Sequence, residues 1–252
     1  YGFGGGICCY DSSPSLTGCT FEGNTAGAGG GFRGSTNSNA TLTNCVFTGN
    51  TANSGGGAEL TYNSDPTFSN CTFTGNAGGA GGGMYMWFGS SPILMNCTFD
   101  GNTSVGDGGG IYCSGEGTNP VLTDCTITNN TADQDNSNGG DGGGLHVYSH
   151  SNPMLTNCTI TNNTADEYGG GLFFWVSESP TLTGCVISNN TTDRKGGGMY
   201  MRQATPTISG CIIENNIAGE VGGGLYTQKL NPLISDTVVC GSTPDQIYGG
   251  WS

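Results

Sequence analysis

Thr41-Leu42-Thr43-Asn44-Cys45-Val46-Phe47 carries apolar residues at Leu42, Cys45 and Phe47, so a period of two runs through it and breaks once, at Asn44. Alternation of this kind marks a half-buried strand, and the break predicts a bend. A left-handed backbone at such a bend suits Gly, Asn and Asp best. One of these three fills the same place wherever the pattern returns, as at Gly18, Asn70, Asn96, Asp124, Asn157, Gly184 and Gly210.

The pattern returns throughout the chain. Glycine triplets begin at Gly4, Gly29, Gly55, Gly81, Gly108, Gly142, Gly169, Gly196 and Gly222, at steps of 25 to 27 residues apart from one of 34. A Cys follows the bend in eight of these nine units (Cys19, Cys45, Cys71, Cys97, Cys125, Cys158, Cys185 and Cys211). Pro stands five residues before that column in eight of the nine units, and Asn five residues after it in eight, from Asn24 to Asn216. A fixed period of this size signals a solenoid. The units lack the spaced Leu of a leucine-rich repeat and are too rich in Gly and Thr for helices. They predict an all-β fold: a right-handed parallel β-helix of about nine coils of about 26 residues, with three short strands per coil. Residues 1–252 then form a single domain with a longer turn at 131–141.

Composition fits this reading and little else. Gly accounts for 49 of 252 residues, while Leu, Ile, Val and Phe make up only about 17% and the formal charge is −14. Those values alone would suggest disorder, but a solenoid pairs each coil with its neighbours and needs only a thin interior. Five basic residues against 19 acidic ones argue against a nucleic-acid partner and against anionic membrane surfaces. No apolar run approaches the length of a membrane span.

The Asn column is expected to stack side-chain amides from coil to coil. The Cys column is expected to hold buried free thiols, because parallel in-register side chains point the same way and oppose the disulfide torsion. Cys9 and Cys113 should also face inward, whereas Cys8 should face outward. Sequons are an automatic product of the repeat. In a glycosylating source, the bend residues Asn70, Asn96 and Asn157 are the accessible acceptors, whereas Asn102 and Asn190 belong to the stacked column.

The pairing of Gly-Gly-Gly-Ile (Gly4 to Ile7, Gly108 to Ile111) with Phe-x-x-Asn (Phe21 to Asn24, Phe47 to Asn50, Phe73 to Asn76, Phe99 to Asn102) resembles the repeats of polymorphic outer-membrane-protein-type passenger domains and related secreted bacterial β-helix proteins. The resemblance implies a β-helix exported to the cell surface or beyond.

Charged residues are scattered among the units, so no catalytic constellation is expected, and His146 and His150 are expected at the surface. The loop of the fifth unit offers oxygen ligands at alternate positions, Asp133, Asp135, Ser137 and Asp141, and is a candidate calcium loop. Alternate residues of the first strand should face solvent, and many are aromatic: Tyr85, Trp87, Tyr112, Tyr148, Phe173, Trp175, Tyr200 and Tyr226. Such a platform suits sugar faces or another protein.

Three functions follow as expectations. The first is an extracellular structural subunit that assembles head-to-tail with copies of itself, with Cys8 and Cys240 meeting across the joint as a disulfide and the aromatic face making lateral contacts. The others are a carbohydrate-binding adhesin and a polysaccharide lyase or hydrolase. The chain begins on the first triplet and ends near where a tenth would start, which is the basis of the head-to-tail expectation.

Overall fold

Each turn of chain lays its strands directly on those of the turn before. The computed structural model describes residues 2–133, 139–177 and 179–249. Among these residues the strands form four parallel sheets of ten, nine, nine and eight strands, and there is no helix. Sheet 1 gathers the strands that follow the nine triplets, from Ile7–Tyr10 to Leu225–Gln228, and adds Ile247–Gly249. Sheet 2 runs from Ser15–Thr17 to Leu233–Ser235, and sheet 3 from Thr20–Glu22 to Val238–Cys240. Sheet 4, from Thr25–Ala28 to Ile217–Ala218, is the departure from expectation, because it adds a fourth strand to the coil. Its strands are two to four residues long, mostly Thr, Ala, Ser and Gly, and show no hydrophobic alternation to read.

The bend residues take the left-handed conformation the sequence called for, with φ of 53° at Asn44, 52° at Asn96 and 62° at Gly210. Leu42, Cys45 and Phe47 are thereby all turned inward. Phe21, Phe47, Phe73 and Phe99 stack in a column with centroids 4.5–4.9 Å apart, and Ile127, Ile160, Ile187 and Ile213 continue it. Cys45 and the other column cysteines to Cys211 are buried, as are Cys9 and Cys113, while Cys19 is half-buried. Burial pushes the Cys9, Cys45 and Cys113 thiols up, toward the protonated form.

The Asn amides hold the coils in register. Asn76 donates both its backbone N–H and its Nδ2 to Asn102 Oδ1, at 3.0 and 2.9 Å, and its Nδ2 also reaches back to Phe47 O at 2.9 Å. Each amide therefore ties together three coils. The ladder crosses the long unit unbroken, since Asn130 N donates to Asn163 Oδ1 at 3.0 Å. In the ninth unit Ser242 Oγ accepts from Asn216 N instead. The triplets approach each other just as closely: a Cβ on Gly110 would lie 2.6 Å from Gly144 O, so no other residue fits there.

Asn102 is fully buried, and its loss strands donors and acceptors on both neighbouring coils. Asn102→Ala should cost on the order of 3–5 kcal/mol in denaturant unfolding. Thr43→Ala, on the outer face of sheet 2, should stay within about 1 kcal/mol. Similar losses for the two would contradict the ladder's structural role.

Candidate functional site

Outward positions of sheet 1 build the site. Register pairs Tyr85, Tyr112, His146, Phe173, Tyr200, Tyr226 and Tyr248 in one column across seven successive strands. Their rings lie 4.5–5.7 Å apart from one coil to the next. The neighbouring column carries Trp87, Tyr148, Trp175 and Arg202, with Tyr148 and Trp175 5.1 Å apart and the Arg202 guanidinium 4.8 Å over the Trp175 ring.

The aromatic face is less open than the sequence predicted. Phe173 and Tyr200 are buried at 2% and 4% exposure, and His146, expected at the surface, is buried at 3%. Tyr85, Tyr112, Tyr148, Trp175 and Tyr226 are half-buried, and Trp87 is exposed. The physical reason is a second row of side chains, from residues just ahead of the triplets, that folds over the column. Tyr168 in that row packs 4.7 Å from the Tyr200 ring and carries the Arg194 guanidinium 5.0 Å above its own.

That row also brings together carboxylates that appear scattered in the sequence. Asp107 and Asp141 each precede a triplet, and Gly108 N donates to Asp141 O at 2.9 Å, so the two stack in adjacent coils. Asp107 Oδ1 accepts from Asp141 N at 3.1 Å and from Gly140 N at 3.3 Å, and Asp141 Oδ1 accepts from Tyr168 N at 3.0 Å. His146 Nδ1 lies 3.7 Å from Asp107 Oδ2 and 3.4 Å from Asp141 O. Glu167 lies beside them, 3.5 Å from Arg194 Nη1. Together with Tyr112, Tyr148, Tyr168, Phe173, Trp175, Tyr200 and Arg202 they line a cleft of about 330 Å³. Burial, reinforced by the charges of Asp107 and Glu167, pushes the Asp141 carboxyl up to about 8. Burial also holds the His146 imidazole below its ordinary value, against the pull of Asp107.

The candidate calcium loop falls partly outside the described residues. Asp133 is exposed, Asp135 and Ser137 lie outside the described residues, and Asp141 belongs to the cleft with Asp107 and His146. Asp107 and Glu167 were missed because the groups they meet, Asp141 and Arg194, stand in neighbouring units rather than nearby in the chain. Aligning the units on their triplets would have exposed the adjacent Asp107 and Asp141. Asn70, Asn96 and Asn157 are exposed, while Asn102 and Asn190 are fully buried. Cys8 and Cys240 are both exposed, in the first and last coils.

The model of the right-handed β-helix region matches residues 5–140 and 131–248, which together span nearly the whole chain. The chain belongs to the right-handed β-helix family. This right-handed β-helix shows, among its described residues, no helix long and apolar enough to cross a membrane. No curated protein matches it.

A carboxyl whose pKa lies above its unfolded value contributes stability that is full below the unfolded value and is lost as pH rises through the folded one. For Asp141 that window runs from about 4 to about 8. The stability difference between wild type and Asp141→Asn should therefore shift against wild type across the window, by a few kcal/mol at most. Melting curves of both proteins at several pH values check this. A difference independent of pH would show that the carboxyl is not desolvated.

Proposed function

We propose that this β-helix binds a glycan chain in the cleft on sheet 1. The observation that carries the reading is the composition of the cleft wall: Tyr148, Trp175 and Tyr112 offer half-exposed ring surface, and Asp107, Asp141, Glu167 and Arg202 converge beside it. Aromatic faces pack against the apolar faces of sugars, while a few placed polar groups bond the hydroxyls and fix orientation. The reading includes work outside the cell or at its surface, and the likeness of the Gly-Gly-Gly-Ile and Phe-x-x-Asn units to secreted passenger-domain repeats supports that part.

A second reading, cleavage of the bound glycan, is favoured by one observation. Asp107, Asp141 and Glu167 line one cleft, and burial pushes the Asp141 carboxyl up to about 8, an arrangement suited in the metal-free protein to a general acid and its partner base. Release of reducing ends that disappears in Asp141→Asn would support it, and binding without turnover would leave the glycan-binding role alone.

Head-to-tail self-assembly is a separate proposal, supported by the exposure of Cys8 and Cys240. It predicts multimers on a non-reducing gel that collapse on reduction. A monomer whose two thiols alkylate freely in the native material would contradict it.

The glycan reading is tested by titrating oligosaccharides into the protein while following indole fluorescence. Trp175→Ala should weaken binding by about tenfold or more and leave the melting temperature nearly unchanged, because the ring is half-exposed. No binding across neutral and acidic oligosaccharides at millimolar concentration, or equal binding by the variant, would overturn the reading.

A further inference from the structure

Asp107, Asp141 and His146 stand in two successive coils and present one carboxylate oxygen each, and one imidazole nitrogen, within 4.8 Å of one another. We propose that these three side chains are the protein ligands of a divalent transition-metal ion of the zinc class. The inference goes beyond glycan binding, which requires no ion.

The donor set is the first support. One imidazole nitrogen with two carboxylate oxygens matches a zinc-type ion, whereas calcium takes six to eight oxygens and has no use for a ring nitrogen. Three protein ligands with an open fourth position is also the pattern of an accessible, rather than purely structural, zinc site. With metal–ligand bonds of about 2.0–2.2 Å, the donors need only close in by small side-chain rotations from their present separation.

The second support is how the ligands are held. One oxygen of each carboxylate is fixed by backbone N–H groups: Asp107 Oδ1 by Gly140 and Asp141, and Asp141 Oδ1 by Tyr168. Asp107 Oδ2 is turned toward His146. Such outer contacts orient ligands before the ion arrives. The ring stack between Tyr112 and Phe173 holds the imidazole plane in the same way.

Third, among the described residues no cation is in direct contact with the cluster, and the Arg194 charge reaches Asp141 only from a distance. Among the described residues no Lys or Arg pairs with Asp107 or Asp141. Arg194 is directed to Glu167 and Glu220, at 3.5 and 3.0 Å. The buried imidazole, at 3% exposure, contacts the backbone carbonyl of Asp141 at 3.4 Å and Asp107 Oδ2 at 3.7 Å, both too long for a strong hydrogen bond. A buried polar ring without a short partner, facing two carboxylates, is costly as it stands and is relieved by a shared cation.

The test is calorimetric titration of the chelator-stripped full chain with Zn²⁺ alone, followed by Co²⁺ for its visible spectrum. Wild type should take up one equivalent, and excess Ca²⁺ should not displace it. His146→Phe places in the column the residue that the next coil already carries at Phe173, so the ring stack survives. Asp141→Asn keeps an acceptor for Tyr168 N. Each variant should weaken Zn²⁺ binding by about tenfold or more, and His146→Phe should change the Co²⁺ spectrum. Should His146→Phe fail to fold, Asp141→Asn and Asp107→Asn give the same reading. Absence of stoichiometric binding up to millimolar Zn²⁺ would overturn the proposal, as would unchanged binding by the folded variants. Trp175→Ala should leave the Zn²⁺ titration intact, which separates this proposal from the glycan reading.

Discussion

The buried asparagine amide is the interaction on which the other features depend. At each step one carbonyl oxygen accepts two N–H groups of the preceding coil, and one Nδ2 reaches a carbonyl of the coil before that. Because the group is fully buried, misplacing it by a single residue would leave several polar atoms unpaired away from water, at about 1–3 kcal/mol each. This penalty, repeated from coil to coil, fixes register far more sharply than a thin hydrophobic interior could. In a parallel stack a slip of one residue also turns every side chain to the opposite face.

Register in turn creates the cleft. Asp107 and Asp141 are 34 residues apart along the chain, yet a backbone hydrogen bond stacks them in adjacent coils because the Asn130–Asn163 step closes across the long unit. The same lock places His146 between Tyr112 and Phe173. Stacked rings and backbone-anchored carboxylates leave the lining little freedom, so a ligand entering the cleft meets groups already in position. The cost of this arrangement is visible in Asp141, whose carboxyl is pushed well above the ordinary range first by burial and then by the charges of Asp107 and Glu167.

Much of this was legible in the sequence, and the rest was hidden for definite physical reasons. The bend at Asn44, the amide column and the inward cysteines each require a particular residue type, and the period made those requirements visible. Sheet 4 was not visible, because Thr25-Ala26-Gly27-Ala28 has no apolar alternation and is a strand only through pairing with its neighbours. Phe173 and Tyr200 belong to the outward column, but direction is not exposure: Tyr168 of the turn row packs on Tyr200, and Phe173 lies between the rings of His146 and Tyr200. The cleft itself was lost because its acids come from different coils, and the long unit obscures that Asp107 and Asp141 occupy one position.

The central claim is that register is carried unbroken across the long unit, and nuclear Overhauser contacts of the His146 ring test it most directly. With register unbroken, the imidazole protons of His146 contact the rings of both Tyr112 and Phe173, at centroid separations of 4.9 and 4.5 Å. Contacts instead to core residues of the neighbouring strands, such as Ile111 or Phe174, with none to Tyr112, would mean that the coils slip at the long unit, and an unbroken register would be contradicted.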